Sequence, residues 1–465
     1  MSAVSSPTAV AERNLGAISS LDVPVPGYNR GALSPRILHI GVGGFHRAHM
    51  AVYTDETAAA GETWGIKGAG LLEADRRMAQ VLQAQDSLYT VIERDSDGSY
   101  PRIVGSIVDF AFVAGDADAL NRQVADPDLA ILSLTITEGG YSVATPNLTI
   151  EAIVSALDAR RRSGGRPVTI LSCDNLPGNG DVARHASMTV AHGRGAELST
   201  FPNSMVDRIT PQTKDDDRAW LRDVIGIDDD WPVVCERFRQ WVIEDRFIAG
   251  RPCWETVGVL VTDRVHDWEL YKLRMLNASH SCMAYLMALA GVVYVDEAMA
   301  IPVVRRYLEQ LITTEAIPTL NAIAGHPPAE YADTVLRRFE NTGVRDQIAR
   351  LCIDGTAKFR SFLIPTIEGQ LARGGPVVSA ALALAAWRWY LATVPDDERA
   401  PDPHGERAVA LARDAVHDPA GFLEFDEVFT APLRESPVFR DAFVSASQDL
   451  AVRGPLAAIE STIRT

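Results

Sequence analysis

Short apolar runs alternate with helical segments over the first half of the chain, and this alternation restricts the fold more than any other feature. The first repeat reads RILHIGVGGFHRAHM over residues 36–50, which is a strand, a glycine turn and a helix. Further apolar runs follow at residues 64–72, 103–113, 129–137 and 167–175. Short buried strands separated by helices are typical of parallel βαβ units. The sequence therefore predicts an open α/β sheet in this part of the chain.

The pattern changes near residue 262. Long helical segments dominate beyond it, at residues 267–291, 333–351 and 377–394, and strand-like runs almost vanish. We therefore predict an α/β domain over residues 1–262 and a mainly helical domain over residues 263–465. Residues 1–30 are rich in Ser, Ala and Pro, and we expect them to form a loosely packed arm of the first domain.

Composition and charge exclude several classes of protein. Hydrophobic residues make up 47% of the 465 residues and charged residues 23%, as in an ordinary globular protein. The formal net charge of -17 argues against nucleic acid and anionic membranes as partners, because both need a positive surface. Five scattered cysteines without a CxxC pair indicate free thiols in a reducing compartment. With no signal-peptide pattern and no apolar run of membrane-spanning length, we expect a cytoplasmic protein.

The glycine turn after the first strand has the form of a dinucleotide-binding loop. Gly41 allows the tight turn, and Gly43 lets a pyrophosphate approach the backbone at the start of a helix. His46 stands where the third glycine of the GxGxxG pattern belongs, so an ordinary tight turn is the alternative. We expect a dinucleotide to contact Gly41, Gly43, Gly44 and Phe45.

Acidic residues follow the next apolar run, at Glu73 and Asp75. A carboxylate at this place holds the ribose hydroxyls, and Asp75 would favour NAD by repelling the 2′-phosphate of NADP. The adjacent Arg76 and Arg77 favour the opposite choice. We predict NAD as the cofactor, with NADP less favoured.

His46 and His49 are three residues apart, a spacing that can bind a metal ion. No cysteine or carboxylate near them in the sequence completes a ligand set. A histidine beside a phosphate-binding turn has a simpler polar role, so we predict no metal site.

Polar loops follow three further apolar runs. TEGGY at residues 137–141 and SCDNLPGNG at 172–180 come where strands end, and ligands bind beyond the carboxyl ends of strands in open α/β sheets. Asn175 is close enough to its strand to reach a ligand, whereas we interpret Asn179 and Gly180 as turn residues. In FPNSMVDRITP at 201–211, Asp207 and Arg208 lie among apolar residues, and an ordinary ion pair is the alternative reading there.

Three polar side chains, Lys272, Asn277 and His280, interrupt the apolar helical segment YKLRMLNASHS at residues 271–281. On an ideal α-helix with about 100° between residues, these three and Glu269 fall within a sector of roughly 140°. A shared polar cavity would explain that arrangement. The alternative is a lysine that extends to solvent beside an amide and an imidazole bonded to backbone.

Five segments occur together in this chain: GVGGFHRAH, TEGGY, SCDNLPGNG, FPNSMVDRITP with the following RQWVIEDRF, and YKLRMLNASHS. On them, from about residue 36 to about residue 366, the chain resembles the polyol-specific long-chain dehydrogenases, the mannitol dehydrogenase family, and within it the mannitol 2-dehydrogenases. The Lys-x4-Asn-x2-His spacing matches the catalytic signature of that family. The resemblance implies a Rossmann-type N-terminal domain and a helical C-terminal domain. It also implies a metal-independent, NAD-dependent enzyme that acts as a monomer or weak homo-oligomer.

The resemblance further implies residue roles. Lys272 would be the general acid/base, Asn175 and Asn277 would hydrogen-bond the reacting oxygen, and His280 would position the substrate. The remaining roles are substrate contacts at Asp207, Arg350 and Lys358, and a proton path at Glu269 and Glu138. An ordinary lysine has a pKa of about 10.4 and is a poor base near neutrality, but burial disfavours an ammonium ion. Such a lysine could take the hydroxyl proton as hydride leaves, while two amides stabilise the alkoxide without adding charge.

The substrate that the resemblance favours is D-mannitol, oxidised to D-fructose. Within the same family, a reductase of fructuronate or another uronate and a dehydrogenase of arabinitol or sorbitol are alternatives. A uronate needs a cation for its carboxylate, and Arg350, Lys358 or Arg360 could serve. A non-catalytic NAD-binding protein is the alternative from another class.

Overall fold

The computed structural model describes residues 6–142, 148–190 and 195–463. The chain forms two compact units, Met1–His266 and Asp267–Thr465. The first has strands and helices, and the second is mainly helical in its described residues. This confirms the fold class predicted from the sequence.

The strands are β1 (Thr8–Ala9), β2 (Ser34–Ile40), β3 (Trp64–Gly70), β4 (Tyr89–Asp95), β5 (Gly98–Val104), β6 (Ile107–Phe112), β7 (Ile131–Leu134), β8 (Thr169–Ser172), β9 (Ser204–Asp207), β10 (Ile227–Asp228), β11 (Val233–Glu236), β12 (Gln240–Ile243) and β13 (Leu260–Val261). The α-helices of the first unit are α1 (Leu15–Ser19), α2 (Gly44–Ala48), α3 (Met50–Ala59), α4 (Arg76–Ala84), α5 (Ala117–Val124), α6 (Leu148–Arg162), α7 (Asn179–Thr189) and α8 (Asp215–Trp220).

The main sheet has the strand order β6-β3-β2-β7-β8, and every neighbouring pair is parallel. The chain builds outward from β2 in one direction through β3 and β6, then returns to the other side of β2 with β7 and β8. The order therefore reverses between β2 and β7. In doubly wound sheets a ligand binds at the carboxyl ends of the strands at this reversal. The glycine turn follows β2 directly, so the fold places it at that position.

Both faces of the main sheet are covered. Ile37, Ile66 and Ile131 contribute to one buried cluster, and Leu38 and Leu132 contribute to another. Successive side chains of a strand point to opposite faces, so neighbouring residues feed the two cores. Strands buried on both sides read as continuous apolar runs, which is why the sequence pattern predicts β7 and β8.

One predicted strand is in fact two. Residues 103–113 read as a single apolar run, but β5 ends at Val104 and pairs antiparallel with β4, whereas β6 starts at Ile107 in the main sheet. Gly105 lies between them, and both its amide and its carbonyl form hydrogen bonds with side chains. Its amide donates to Asp55 and its carbonyl accepts from Arg30, so the strand ladder is interrupted there.

Residues 6–30 are packed, and the expectation of a loose arm is wrong for them. β1 pairs with β10, and Val10, Ile18 and Val23 are buried in one apolar cluster. The guanidinium of Arg30 is buried and donates to the backbone carbonyls of residues 86, 105 and 107. Such a buried cation with several acceptors fixes the segment to the first unit.

The first helix of the helical unit is α9 (Val265–Tyr271), which starts two residues before the unit boundary and continues through a π-helical segment (Lys272–Asn277) into α10 (Ala278–Leu289). The other helices are α11 (Val295–Met299), α12 (Pro302–Gln310), α13 (Pro328–Phe339), α14 (Ile348–Leu351), α15 (Gly355–Lys358), α16 (Ile364–Arg373), α17 (Val378–Thr393), α18 (Gly405–Asp414), α19 (Ala431–Glu435) and α20 (Pro437–Thr462). Two more π segments, Leu311–Ala316 and Phe359–Leu363, both pack against Lys272–Asn277. α17, which is rich in Ala and Leu, lies at the centre and packs against α10, α18 and α20.

Two helical predictions differ in detail from the structure. Residues 333–351 read as one helix, but α13 ends at Phe339 and α14 begins at Ile348, with Asp346 in the break. Residues 267–291 read as a regular α-helix, and the π segment was not predicted. None of the helices in the described ranges is long and apolar enough to cross a membrane. All five cysteines are free thiols, and only Cys253 is exposed.

Candidate functional site

The glycine turn leaves room for a ligand. Gly41 has φ +94°, and a side chain there would collide with the carbonyl oxygen of Thr135 at the end of β7. Only glycine fits such a position. A methyl group placed on Gly43 would meet nothing nearer than the Gly41 oxygen at 3.8 Å, and on Gly44 nothing nearer than 3.7 Å. The turn is therefore tight on the protein side and open on the other, which fits the backbone cradle of a dinucleotide phosphate.

Phe45 and the histidines near it pack inward. Phe45 is half-buried and stacks on His49, while His46 stacks on His39 with ring centroids 3.4 Å apart. Neither ring nitrogen of His46 has a hydrogen-bond partner in the described chain, and His49 Nε2 lies 2.9 Å from the Gln240 carbonyl oxygen. Burial lowers the pKa of His39 and of His49 to about 3 and the pKa of His46 well below its ordinary value. These rings are therefore neutral near pH 7.

The described residues contain no group of three or more His, Cys, Asp or Glu side chains that could hold a metal ion. His46 and His49 belong to separate ring stacks, with His39 and with Phe45.

Asp75 follows β3, and its carboxylate accepts a hydrogen bond from the Leu72 amide at 2.9 Å. The two neighbouring arginines lie over aromatic rings, Arg76 over Phe112 and Arg77 over Trp231. Arg76 also pairs with Glu73. Arg76 and Arg77, the two cations that would favour NADP, thus already have partners in the protein. The hydrogen bond from the Leu72 amide fixes the position of Asp75 after β3.

The loops after β7 and β8 meet through the side chain of Asp174, which the sequence prediction did not include. The Asp174 carboxylate accepts the amides of Ile136 and Thr137 at 3.0 and 2.9 Å and the Tyr141 hydroxyl at 2.6 Å. Burial, the largest influence, raises the pKa of Asp174 although these donors oppose it. Asn175 follows directly and is exposed at the carboxyl edge of the sheet. Glu138 begins a short 3-10 turn, and its side chain lies outside the described part of the chain.

Asn179 and Gly180 are more than turn residues, which corrects our interpretation of them. Asn179 is fully buried, and its side chain bonds the Asp174 carbonyl and both the backbone and the hydroxyl of Ser204. A side chain at Gly180 would meet the Pro202 carbonyl oxygen at 2.5 Å. These contacts join the loop after β8 to the start of β9, whose last residue is Asp207.

Asp207 is buried at the end of β9, within electrostatic range of His49 and Tyr53. The adjacent Arg208 is buried as well. Its guanidinium donates to the carbonyls of Ala48 and Glu236 and pairs with Glu93 at 2.6 Å. Arg208 therefore anchors the end of β9 to the last residue of α2, close to the glycine turn.

In the second unit, Lys272 and Asn277 are the two ends of the π segment. The Ala278 amide bonds the Leu273 carbonyl, five residues earlier, as in a π-helix. Ideal α geometry would turn Lys272 and Asn277 about 140° apart, and the wider turn of a π segment brings residues five apart closer to the same side. Single π turns in helices are frequent at functional sites. Glu269, Lys272, Asn277 and His280 are all at least 91% buried.

His280 is held by stacking. Its ring lies on Phe339 with centroids 4.0 Å apart, and its Nε2 has no hydrogen-bond partner among the described residues. Burial lowers the pKa of His280 to about 3, with Asp346 opposing and Arg350 adding to the effect. A neutral imidazole with an unsatisfied buried nitrogen can exchange a hydrogen bond with a ligand hydroxyl.

Arg350 and Lys358 lie around His280, as the electrostatic influence of both on its ring shows. Arg350 is half-exposed, and its guanidinium makes a two-point pair with Asp346, with Nε to Oδ1 at 2.7 Å. Burial alone would raise the pKa of Asp346, but the pair with Arg350 lowers this pKa below its ordinary value. Burial has the largest effect on Lys358 and lowers its pKa, and the positive charge of Arg350 lowers that pKa further. Asp346 was missed by the sequence prediction, although its distance of four residues from Arg350 is the spacing of a helical ion pair.

The predicted site residues thus form two groups, one in each unit. In the first unit, the glycine turn, Asp75 and Asn175 follow strands of the main sheet, and Asp207 ends β9 of a separate three-stranded sheet. The helical unit holds Glu269, Lys272 and Asn277 on one buried segment, and His280 together with Arg350 and Lys358.

Two family models match the chain. The mannitol dehydrogenase Rossmann domain matches residues 35–256, and the mannitol dehydrogenase C-terminal domain matches residues 264–451. A mannitol 2-dehydrogenase of Phaeosphaeria nodorum is 37% identical over 94% of this chain and 83% of the relative. One of Aspergillus terreus is 38% identical over 96% of this chain and 98% of the relative.

Solved structures give the same result. The Pseudomonas fluorescens mannitol 2-dehydrogenase, in a ternary complex with NAD and D-mannitol, is 37% identical with a TM-score of 0.88, and the match covers 98% of this chain and 100% of that one. A D-sorbitol dehydrogenase in substrate-free form is 32% identical with a TM-score of 0.87, and the match covers 97% of this chain and 100% of that one.

Proposed function

Because this chain belongs to the mannitol dehydrogenase family, we propose that it oxidises D-mannitol to D-fructose with NAD and catalyses the reverse reduction. Relatives that carry the name mannitol 2-dehydrogenase match nearly the whole chain, and one was solved with NAD and D-mannitol. The enzyme class is an NAD-dependent oxidoreductase that acts on a CH–OH group.

We assign the cofactor to residues 1–262 and the substrate groups mainly to residues 263–465. Bound NAD would supply the hydride acceptor. The open turn at Gly41, Gly43 and Gly44 fits the pyrophosphate, Phe45 borders it, and Asp75 is placed to accept the ribose hydroxyls. Since Arg76 and Arg77 are engaged with aromatic rings, the acidic residue favours NAD over NADP.

The observation that carries the proposal is a set of buried polar side chains on a helix that is otherwise apolar. Lys272 and Asn277 span one π turn, and His280 presents an unsatisfied nitrogen from the next turn. Buried polar groups in proteins are normally satisfied, so the Nε2 of His280, unpartnered among the described residues, favours a ligand that carries hydroxyl groups. A packing role alone does not explain an imidazole that stacks on Phe339 and leaves Nε2 without a partner.

In this assignment Lys272 takes the proton of the reacting hydroxyl and returns it in the reverse direction. Its burial keeps the amine away from bulk water, and the amine must be neutral to act as a base. Asn277 and Asn175 donate to the reacting oxygen, His280 and Asp207 bind polyol hydroxyls, and Glu269 and Glu138 carry the proton toward solvent.

Within the family, the pairing of Arg350 favours a neutral polyol over an acid sugar. Arg350 is one of the cations that could bind a uronate carboxylate, and it is already paired with the buried carboxylate of Asp346. A guanidinium that makes a two-point carboxylate pair has its fork occupied. Sorbitol is the second candidate, because a D-sorbitol dehydrogenase is 32% identical over almost the whole chain.

A substrate panel tests the proposal. We expect reduced cofactor to form with D-mannitol and NAD, more slowly with D-sorbitol or D-arabinitol, and slowly with NADP. D-Fructuronate reduction with NADH is expected to be weak. The panel is repeated with EDTA, and we expect the rates to stay the same because the proposed mechanism uses no metal ion. Turnover of uronates without turnover of any polyol would overturn the proposal.

A further inference from the structure

Asp174 lies where two neighbouring strands of the main sheet end. β7 ends at Leu134 and β8 at Ser172, and these two residues pair in the sheet. Asp174 comes two residues after β8, yet its carboxylate reaches the segment that follows β7. The residue is only 8% exposed, so its contacts are with the protein.

Three donors hold this carboxylate, and we call the set the Asp174 clamp. Oδ2 accepts the Ile136 amide at 3.0 Å and the Tyr141 hydroxyl at 2.6 Å, and Oδ1 accepts the Thr137 amide at 2.9 Å. The Tyr141 hydroxyl also lies 2.8 Å from Ser172 Oγ. Hydrogen bonds to an ionised acceptor are stronger than neutral ones. The clamp therefore joins the two strand ends firmly.

The backbone of Thr137 is strained at the same place. Its φ is 62° and its ψ is 170°, a region that glycine alone adopts readily. A residue with a Cβ stays there only when its surroundings hold it. The amide of this strained residue is one of those that Asp174 accepts, so the clamp supplies the restraint. Backbone strain of this kind is concentrated at functional sites.

We propose that Asp174 is a positioning residue of the polyol dehydrogenase site, a role that rests on the proposed function. Thr137 directly precedes Glu138, and Asp174 directly precedes Asn175. By accepting a hydrogen bond from the Thr137 amide, Asp174 fixes the position at which the Glu138–Tyr141 turn begins. The same bond fixes the position of Asn175, the next residue in the loop after β8. Asp174 does this from a buried position within the protein.

The test compares Asp174→Asn with double variants at position 137. Asparagine can accept with one side-chain oxygen only, and its NH2 group faces the other amide, so the clamp opens and Thr137 relaxes. We expect kcat and kcat/KM for D-mannitol to fall together by about 10- to 100-fold, because a small displacement of a group that acts in the transition state costs about that much. KM and NAD affinity are expected to change by less than about twofold.

Adding Thr137→Gly to Asp174→Asn is expected to restore most of the lost kcat, because glycine adopts the original backbone without restraint. Adding Thr137→Ala, which keeps the Cβ, is expected to restore nothing. Tyr141→Phe removes one donor but leaves both amides on the carboxylate, and we expect its kcat to stay near that of the wild type. Rescue by glycine and not by alanine separates positioning from a general loss of stability.

The outcomes are distinct. Wild-type activity with an unchanged Asp174→Asn variant would overturn the positioning role and leave the proposed function intact. Loss of activity that glycine and alanine rescue equally, or that neither rescues, would overturn the link through Thr137. A wild-type enzyme that oxidises no polyol would remove the proposed function, and this role with it.

Discussion

Glu315 offers a sharp test of how the helical unit is held together. It lies in the π segment Leu311–Ala316, is completely buried, and accepts the amides of Ser379 and Ala380 at 2.6 and 3.0 Å. These amides belong to the first turn of α17, the central helix, whose N-terminus favours a negative charge. Burial opposes that charge more strongly and raises the pKa of Glu315 to about 7.

The raised pKa makes stability depend on pH. The folded unit binds the Glu315 proton more tightly than the unfolded chain, whose carboxyl keeps its ordinary pKa of 4.5. The stabilisation from this group is therefore complete below pH 4.5 and is lost as the pH rises to about 7. At about 1.36 kcal/mol for each pH unit, the gap between these pKa values corresponds to roughly 3 kcal/mol. For a unit of this size that is a shift of about 6–12 °C in Tm.

The assay compares Tm of the wild type and of Glu315→Gln between pH 4.5 and 8.5. Glutamine does not titrate, so every other titrating group cancels in the difference, and its altered hydrogen bonds add only a constant. We expect the wild type to lose stability relative to the variant as the pH rises to about 7, and the difference to be level above that. A difference that is flat throughout, or that grows in favour of the wild type with pH, would show that the helix N-terminus outweighs burial.

Three substitutions test the proposed site. Lys272→Ala should lower kcat by at least about 100-fold, the usual contribution of a general base, with NAD affinity nearly unchanged; retained turnover would remove Lys272 from that role. Asp75→Ser keeps an acceptor for the Leu72 amide but removes the charge, so kcat/KM with NADP relative to NAD should rise about tenfold or more; an unchanged ratio would point to Glu73. Asp346→Asn should raise kcat/KM for D-fructuronate relative to D-fructose about tenfold or more, since Arg350 loses its neutralising partner; an equal effect on both substrates would contradict the charge argument.

The fold was largely predictable because its strongest signals are local. β7 and β8 are short apolar runs buried on both faces, and Gly41 stands where a side chain would collide with Thr135. The break at Gly105 was not predictable, because it depends on Asp55 and on Arg30, which are 50 and 75 residues away in the chain. The residues near Gly105 in the sequence do not indicate contacts with such distant residues.

The candidate site shows the same division. The helix that carries Lys272 and His280 was visible as polar residues among apolar ones, but its π turn was not, because a π turn shares the composition of an α-helix. Asp174 was hidden in a loop that reads as turn chemistry, and its partner Thr137 is 37 residues away. Asp346 was missed because residues 333–351 were predicted as one helix. Its spacing of four residues from Arg350 could nevertheless have indicated the ion pair.

The central claim is that a hydride leaves carbon 2 of a hexitol. It is tested most directly with D-mannitol deuterated at carbons 2 and 5, which are equivalent by symmetry, in the presence of NAD. We expect deuterium to appear on the reduced nicotinamide in equal amount to the D-fructose formed, with a lower rate than for unlabelled mannitol when chemistry limits turnover. Reduced cofactor without deuterium, or an aldose in place of the ketose, would contradict the account.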